Sequence, residues 1–409
     1  MRENRRPFDF RFVFVVSATV SLVVVYVVLW LEMIVDPVQY TGTDFIAFYA
    51  AGRISQAEGP AHAYDPALQQ RYEEQVVGFA VDPVHISPYL HPPFILPLTQ
   101  AIASDNFILS FILWNSAMLA FLCLGTLLLM RLLSQGLSRE QKLVALAGIL
   151  LFFPSYVSLI NGQDSAILYF GACVWLFGLL SGKDWLAGLG LAGMTIRPHL
   201  ALLLALPFIF KRRGVWWWFL LGISFLALLS LAYAHPGGIE GFLRILIISG
   251  RGVNYHTSEE RMVNAIGLLH RLLPGSSLLY TRWIGWGMYL AAALALCAIW
   301  ARTQRLEEKH ISLAVILALF TAPHLHFHDL VLLMIPMACL LLVSIHKRLF
   351  PVQDAVLLPL GVSLVLLFSF FAELLKYNLC YLVMLCLLLA LWFPDRIFHR
   401  KIIPEKEVI

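Results

Sequence analysis

Long apolar runs separated by short polar segments make up most of this chain. A run of about 20 apolar residues is long enough to cross a bilayer as a helix. The pattern predicts about ten full spans, located near residues 12–31, 107–133, 143–159, the run before Lys183, 215–233, 283–301, 312–321, 330–345, 356–375 and 377–393.

The run at 185–210 breaks this pattern, because it begins beside Lys183 and ends at the cations of residues 211–213. A single crossing would place those three cations on the outer face, against the positive-inside rule. We therefore predict a re-entrant pair of half-helices that meet near Arg197-Pro198 and return to the same side. Such breaks are tolerated where they line a buried or wet cavity.

Composition supports a membrane protein, and the distribution of charge along the chain predicts its orientation. The 409 residues are 60% hydrophobic and 13% charged, with a mean hydropathy of +0.79, which excludes a soluble fold. Most of the 29 lysines and arginines fall in segments assigned to the inner side, so both termini are predicted to be cytoplasmic. The net charge of +4 indicates no nucleic-acid partner. The expectation is one all-α transmembrane domain over 1–409, with outer loops at 36–105 and 235–281.

The first outer loop contains a short helical pattern. Apolar or small residues at positions 45, 48, 49 and 52 are typical of an amphipathic helix, and Thr43 stands in the N-cap position. We expect this helix to lie against the membrane and to hold Asp44 at its start. There the helix dipole would favour the ionised carboxylate.

Costly polar residues gather at the outer ends of the predicted spans. A buried arginine such as Arg197 costs at least ~2.5–3.5 kcal/mol in an apolar span, so it needs a functional or structural reason. Carboxylates, an embedded cation and outer-loop arginines together indicate an anionic, membrane-anchored substrate. The residues concerned are Asp44, His91, Asn161, Gln163, Asp164, Arg197, Arg251, Arg261, His324, His326, His328 and Asp329.

Several short motifs, in this order and spacing, resemble glycosyltransferase family 87, whose members belong to the C-type superfamily. The resemblance covers most of the chain. Two positions depart from the family pattern: His91 stands where the family typically has Tyr, and Arg197 where Lys is more usual. The motifs are Asp44-Phe45 with Tyr49, Tyr64-Asp65-Pro66, Tyr89 with His91-Pro92-Pro93, Asn161-Gly162-Gln163, Arg197-Pro198 and Pro323-His324 to His328.

The resemblance implies a C-type architecture and an inverting transfer on the outer face of the inner (plasma) membrane. The donor would be a polyprenyl monophosphate carrying a mannose- or arabinose-like sugar, and the acceptor a glycolipid or cell-envelope glycan. Asp44 would be the general base, and Arg197, with Arg251 or Arg261, would stabilise the leaving phosphate. The expected substrate-binding residues are Tyr49, Tyr64, His91, Asn161, Gln163, Asp164, Arg197, Arg251, Arg261, His324 and His328. No cofactor and no metal are expected.

Other interpretations of the same residues stay open. Asp44 could only cap its helix, and Arg197 could form a structural ion pair with Asp164 or Glu373. The i, i+4 spacing of His324 and His328 could bind zinc. The tyrosines at 49, 64 and 89 could be interfacial anchors.

For the whole chain, a transporter or flippase of a lipid-linked anion is the main alternative function. The large outer loop bearing Asp44 and the absence of evident inverted repeats favour the enzyme. A membrane scaffold without catalytic function would leave the costly Arg197 unexplained.

Overall fold

A computed structural model describes residues 9–36, 39, 41, 43–250, 259–273, 277–347, 351–372 and 377–393. Within these ranges every regular element is helical. The α-helices are α1 Phe10–Val35, α2 Phe45–Ala57, α3 Pro66–Val77, α4 Leu96–Ile102, α5 Phe107–Leu133, α6 Arg139–Leu150, α7 Phe153–Ile160, α8 Ser165–Leu180, α9 Asp184–Gly193, α10 Pro198–Ala205, α11 Arg213–Gly250, α12 Ala265–Leu272, α13 Leu278–Arg302, α14 Glu308–Thr321, α15 Met334–Lys347, α16 Val352–Ala355, α17 Leu358–Phe371 and α18 Leu379–Trp392.

Seven helical segments in the described part of the chain are long and apolar enough to cross a membrane. They are α1, α5, the α6–α7 pair, α11, α13, α15 with the 3-10 helix Phe327–Leu333 that precedes it, and the α16–α17 pair. The runs assigned as the fourth and last spans form the shorter helices α8 and α18. The class of protein is thus confirmed, while the count of ten spans and the C-type architecture stay predictions.

The segment 184–212 forms the predicted pair of short helices. Helices α9 and α10 are separated by the 3-10 turn Met194–Ile196, and α9 packs between α8 and α11. Arg212 Nε donates to Asp184 Oδ1 at 2.8 Å, so the two ends of the segment lie side by side. A single crossing would separate these residues by the length of the helices, so the chain must return to the side from which it came.

Helix direction separates the two ends of the bundle. Helix α8, 16 residues and hence about 24 Å long, runs from Asp164 to the end that carries Asp184. Helix α14 runs from Glu307, which pairs with Lys347, to the turn at His324. We call the end that contains Asp164 and His324 the site end.

The helix that begins beside Asp44 differs from its prediction in two respects. It starts at Phe45 with Asp44, not Thr43, at the N-cap position. Residues 45–52 are all buried, so α2 is not a surface helix against the membrane. It packs against α3, α4 and α5, and Gly52 lies so close to α4 that a Cβ there would be 2.5 Å from Thr99 O. Its apolar pattern reports burial inside the protein.

The predicted loop 235–281 is also largely helical where it is described. Helix α11 continues through a kink at His235, where φ is +56° and Pro236 follows. Proline interrupts the hydrogen-bond ladder of a helix without preventing helix on its carboxyl side. The second half of α11 reaches Gly250 and packs against the segments at 60–62 and 93–95, and α12 follows at 265–272. The Pro-Gly-Gly sequence therefore marks a sharp junction, where one helix ends at the non-helical His235 and a second begins directly after it.

Candidate functional site

A buried ion-pair triad lies at the site end of the bundle. Arg197 Nη2 lies 2.9 Å from Asp164 Oδ1, and Arg197 Nε lies 3.3 Å from Asp329 Oδ1. The side chains of the two aspartates are 0% and 1% exposed. Burial by itself raises the pKa of Asp164, but Arg197 and His91 outweigh it and hold that pKa below its ordinary value. Asp164 is therefore a permanent carboxylate and already has partners.

The backbone conformation of Arg197, between α9 and α10, is set by the proline that follows it. Pro198 occupies the first turn of α10, and a residue before proline is disfavoured in the helical conformation. Arg197 accordingly has φ −120° and ψ 80°. Its guanidinium reaches residues 33 and 132 positions away in the sequence, which joins three separate segments of the chain.

Asp329 is held by a long 3-10 helix. This helix covers Phe327–Leu333, seven residues, whereas runs beyond three or four are uncommon and often mark a functional or strained segment. Ser165 Oγ donates to Asp329 Oδ1 at 3.0 Å, and the His326 amide donates to Oδ2 at 3.4 Å. The Asp329 carboxylate thus connects the start of α8 to the turn that contains the histidines.

His91 joins the first outer segment to the triad. Its Nδ1 lies 2.8 Å from Asp164 Oδ2, and its ring centroid lies 4.3 Å from that of Phe48. The Tyr64 hydroxyl donates to the His91 carbonyl at 2.7 Å. Tyr64 therefore supports the backbone beside the site, and the His91 ring touches both the charged cluster and α2.

Asp44 stands apart from the triad as an exposed carboxylate. Its side chain makes no capping hydrogen bond to α2, so the geometry gives no support to the interpretation that Asp44 only caps the helix. Gln163 Nε2 donates to Asp44 Oδ2 at 2.7 Å. His328 is close enough to sense the charges of Asp44, Asp164 and Asp329. The exposed carboxylate and the buried triad therefore belong to one site.

The remaining predicted site residues make contacts of different kinds, and not all of them lie near the triad. Asn161 accepts from the Phe45 amide through its carbonyl at 3.1 Å, while the Tyr49 hydroxyl donates to Ser104 O at 2.9 Å, away from the cluster. The ring centroids of His324 and His326 lie 4.6 Å apart, and those of His326 and His328 lie 5.9 Å apart. Arg261 is exposed, and its charge reaches His326. Arg251 and Glu373 lie outside the described residues.

The structure gives a definite place to Asp329, which the sequence analysis had included among the polar residues at the outer span ends without assigning it a role: it pairs with Arg197. The sequence shows a carboxylate directly after His328, but it does not show that this residue pairs with Arg197, which lies 132 positions earlier in the chain. The pairing of Arg197 with Asp164 is one of the two alternatives left open above. Among the described residues, no group of three or more His, Cys, Asp or Glu side chains is arranged to hold a metal ion.

An all-helical bundle with several segments long and apolar enough to span a membrane, and with a buried cluster of charged side chains at one end, is typical of a polytopic membrane protein. The model of glycosyltransferase family 87 matches residues 89–323, more than half of the chain, and the chain belongs to this family. The resemblance found in the short motifs is thereby confirmed. The match includes His91, Asp164 and Arg197, whereas Asp44 and Asp329 lie outside it. Comparisons with curated proteins and with solved structures gave no match.

Membership of this family makes the chain a membrane glycosyltransferase. The transporter and scaffold alternatives lose their support, because the matched family is a family of glycosyltransferases.

Proposed function

We propose that the protein transfers a mannose- or arabinose-like sugar from a polyprenyl monophosphate to a hydroxyl of a glycolipid or cell-envelope glycan. The reaction would take place at the outer face of the plasma membrane, with inversion at the anomeric carbon. Family membership supports the transfer of a sugar. The lipid-linked donor is our inference from a site that opens at the end of a membrane bundle.

One observation carries the assignment of the base. Of the three carboxylates in the site, Asp164 and Asp329 are buried and bound to Arg197, whereas Asp44 is exposed and has no cationic partner among the described residues. A general base must reach the proton that it removes, and its carboxylate must be free to accept it. Asp44 meets both conditions.

The proposed step moves one proton and exchanges one bond. As the acceptor oxygen forms a bond to the anomeric carbon, its proton passes to Asp44. The bond from that carbon to the phosphate oxygen breaks on the opposite side, and the phosphomonoester leaves with the electron pair. The sugar configuration therefore inverts. The leaving phosphate needs no proton, but its growing charge needs a cation.

We assign different roles to the two arginines Arg197 and Arg261. Arg197 is engaged by two carboxylates, so we assign it the task of fixing the triad and, through Asp164, the His91 ring. Arg261 is exposed, and no described residue hydrogen-bonds with its guanidinium. We therefore propose that Arg261 contacts the leaving phosphate, with the histidine turn beside it. This assignment reverses the emphasis drawn from sequence, which placed Arg197 first.

The test is a transfer assay in membranes that contain the protein. Membranes would be incubated with radiolabelled polyprenyl-phosphomannose or polyprenyl-phosphoarabinose, and the products separated by chromatography. We expect label in a more polar lipid or glycan, in amounts that depend on the protein. If membranes with and without the protein give the same products from both donors, the proposed donor class is wrong.

A further inference from the structure

The turn at 161–163 lies against the start of α2 with unusual closeness. The Phe45 amide donates to Asn161 O at 3.1 Å. Gly162 has φ +62°, a conformation that favours glycine, and a Cβ there would be 2.5 Å from Phe45 Cβ. This turn is therefore built to touch the backbone that carries Asp44.

Gln163 fills the remaining contact between the turn and Asp44. Its Nε2 donates to Asp44 Oδ2 at 2.7 Å, and the residue is only 8% exposed. Its Oε1 is buried and has no hydrogen-bond partner among the described residues. Leaving a buried carbonyl oxygen unpaired is destabilising. The position of Gln163 is therefore better explained by its contact with Asp44 than by a gain in stability.

The hydrogen bond has two chemical effects on a base. It occupies Oδ2, which leaves Oδ1 to face the acceptor hydroxyl, and it fixes the rotation of the carboxylate. The arrangement keeps one oxygen of the Asp44 carboxylate free and aimed in a site that contains two other acids.

We propose that Gln163 is the positioning residue of the catalytic base: through its amide it holds Asp44 in one rotamer and leaves one carboxylate oxygen free for proton removal. This inference rests on the proposed function. It assigns Gln163 no direct contact with the sugar, which differs from the substrate-binding role expected from the sequence.

Two variants test the inference. Gln163→Leu removes the donor, and Gln163→Glu is nearly isosteric but places a second carboxylate against Asp44. Both variants lose the fixed orientation of the Asp44 carboxylate, and Gln163→Glu adds repulsion between two carboxylates. At neutral pH, kcat should fall by roughly 10²-fold in Gln163→Leu, because the carboxylate is misplaced. The KM for the donor should change little.

The assay uses the full-length protein with whichever of the two donors the wild type turns over. Gln100→Leu is the matched control, since the Gln100 amide donates to Ser55 O and not to the site; its kcat should stay near the wild-type value. A melting curve for each preparation separates misfolding from a catalytic effect.

The outcomes distinguish this inference from the function on which it rests. If Asp44→Asn loses turnover while both Gln163 variants keep the wild-type kcat, or lose kcat only together with their melting temperature, Gln163 is not a positioning residue and the inference is wrong. If Asp44→Asn turns over normally, the general-base assignment fails first. A fall in kcat in both Gln163 variants, with unchanged donor KM and melting curve and with a wild-type kcat in Gln100→Leu, supports the inference.

Discussion

At the scale of single residues, Arg197 is the centre of the charged cluster. It faces two carboxylates that are almost completely buried. Removing one partner from a buried ion pair costs about 3–5 kcal/mol, because the opposite charge is left uncompensated. The triad should therefore contribute to folding as well as to the shape of the site.

We expect Arg197→Met to lower the melting temperature strongly and to abolish transfer. Arg197→Lys keeps the charge but loses the contacts of the guanidinium with two carboxylates, so it should retain part of the thermal stability and part of the transfer activity. Arg244→Met is the control: Arg244 pairs with Glu240 across side chains that are 69% and 72% exposed, where an ion pair contributes little. Thermal melting in detergent measures all three, and equal melting temperatures for Arg197→Met and wild type would contradict the account.

Residue types and their order in the chain were sufficient to predict Asp44, Gln163, Asp164, Arg197 and the histidine turn as parts of one site. Their individual roles were harder to predict, because a role depends on partners. The sequence does not show that Asp329 shares Arg197 with Asp164, nor that Tyr49 donates to Ser104 O outside the cluster. These contacts join residues that are tens to more than a hundred positions apart.

At the scale of elements, the turn 161–163 depends on a glycine. Gly162→Ala combines a positive φ with a clash against Phe45 and should push the turn away from α2. We expect at least a tenfold loss of turnover, by the sensitivity of catalysis to small misplacements. Gly182→Ala is the matched control, since φ there is +70° but a Cβ would meet nothing within 4 Å. Similar turnover in the two variants would show that the close approach is unimportant.

Glu73 offers a second test at this scale, on α3. It is 3% exposed, its carboxylate accepts from the Ser87 amide, and burial raises its pKa to about 7. Because the folded-state pKa is raised, the stabilising contribution is present below about pH 4.5 and is lost as pH rises through about 7. Glu73→Gln should therefore raise the melting temperature at pH 8 and change it little at pH 5. A variant that is destabilised equally at both pH values would show that the carboxylate charge is irrelevant here.

Helix boundaries show what local patterns can predict. The break at Arg197-Pro198 followed from charge placement and proline, and the structure contains it. The end predicted near His235 agrees with the non-helical backbone there, but the residues that follow form a second helix and not a loop, because a Pro-Gly-Gly sequence is compatible with both. The surface position expected for α2 was wrong as well. An apolar face indicates that a helix is buried, but the sequence alone does not show whether it is buried against lipid or against neighbouring helices.

At the scale of the whole molecule, the segment 184–212 should return to the cytoplasmic side. Single cysteines would replace Phe79, which is 65% exposed, and the exposed Arg213, in a variant without the six native cysteines. An impermeant thiol reagent added to intact cells should label position 79 and leave position 213 unlabelled until the membrane is opened. Labelling of position 213 from outside would contradict the re-entrant pair and the positive-inside assignment.

The central claim concerns Asp44, and turnover of Asp44→Asn tests it most directly. Asparagine nearly preserves the shape of aspartate and can still occupy an N-cap, but it cannot accept the proton. General bases typically contribute 10²–10⁴-fold, so we expect kcat, with saturating donor and acceptor, to fall by about that factor. Donor affinity and the melting curve, measured on the same preparation, should stay near wild type. Near-normal turnover in Asp44→Asn would contradict the account and move the search for the base to Asp164 or Asp329.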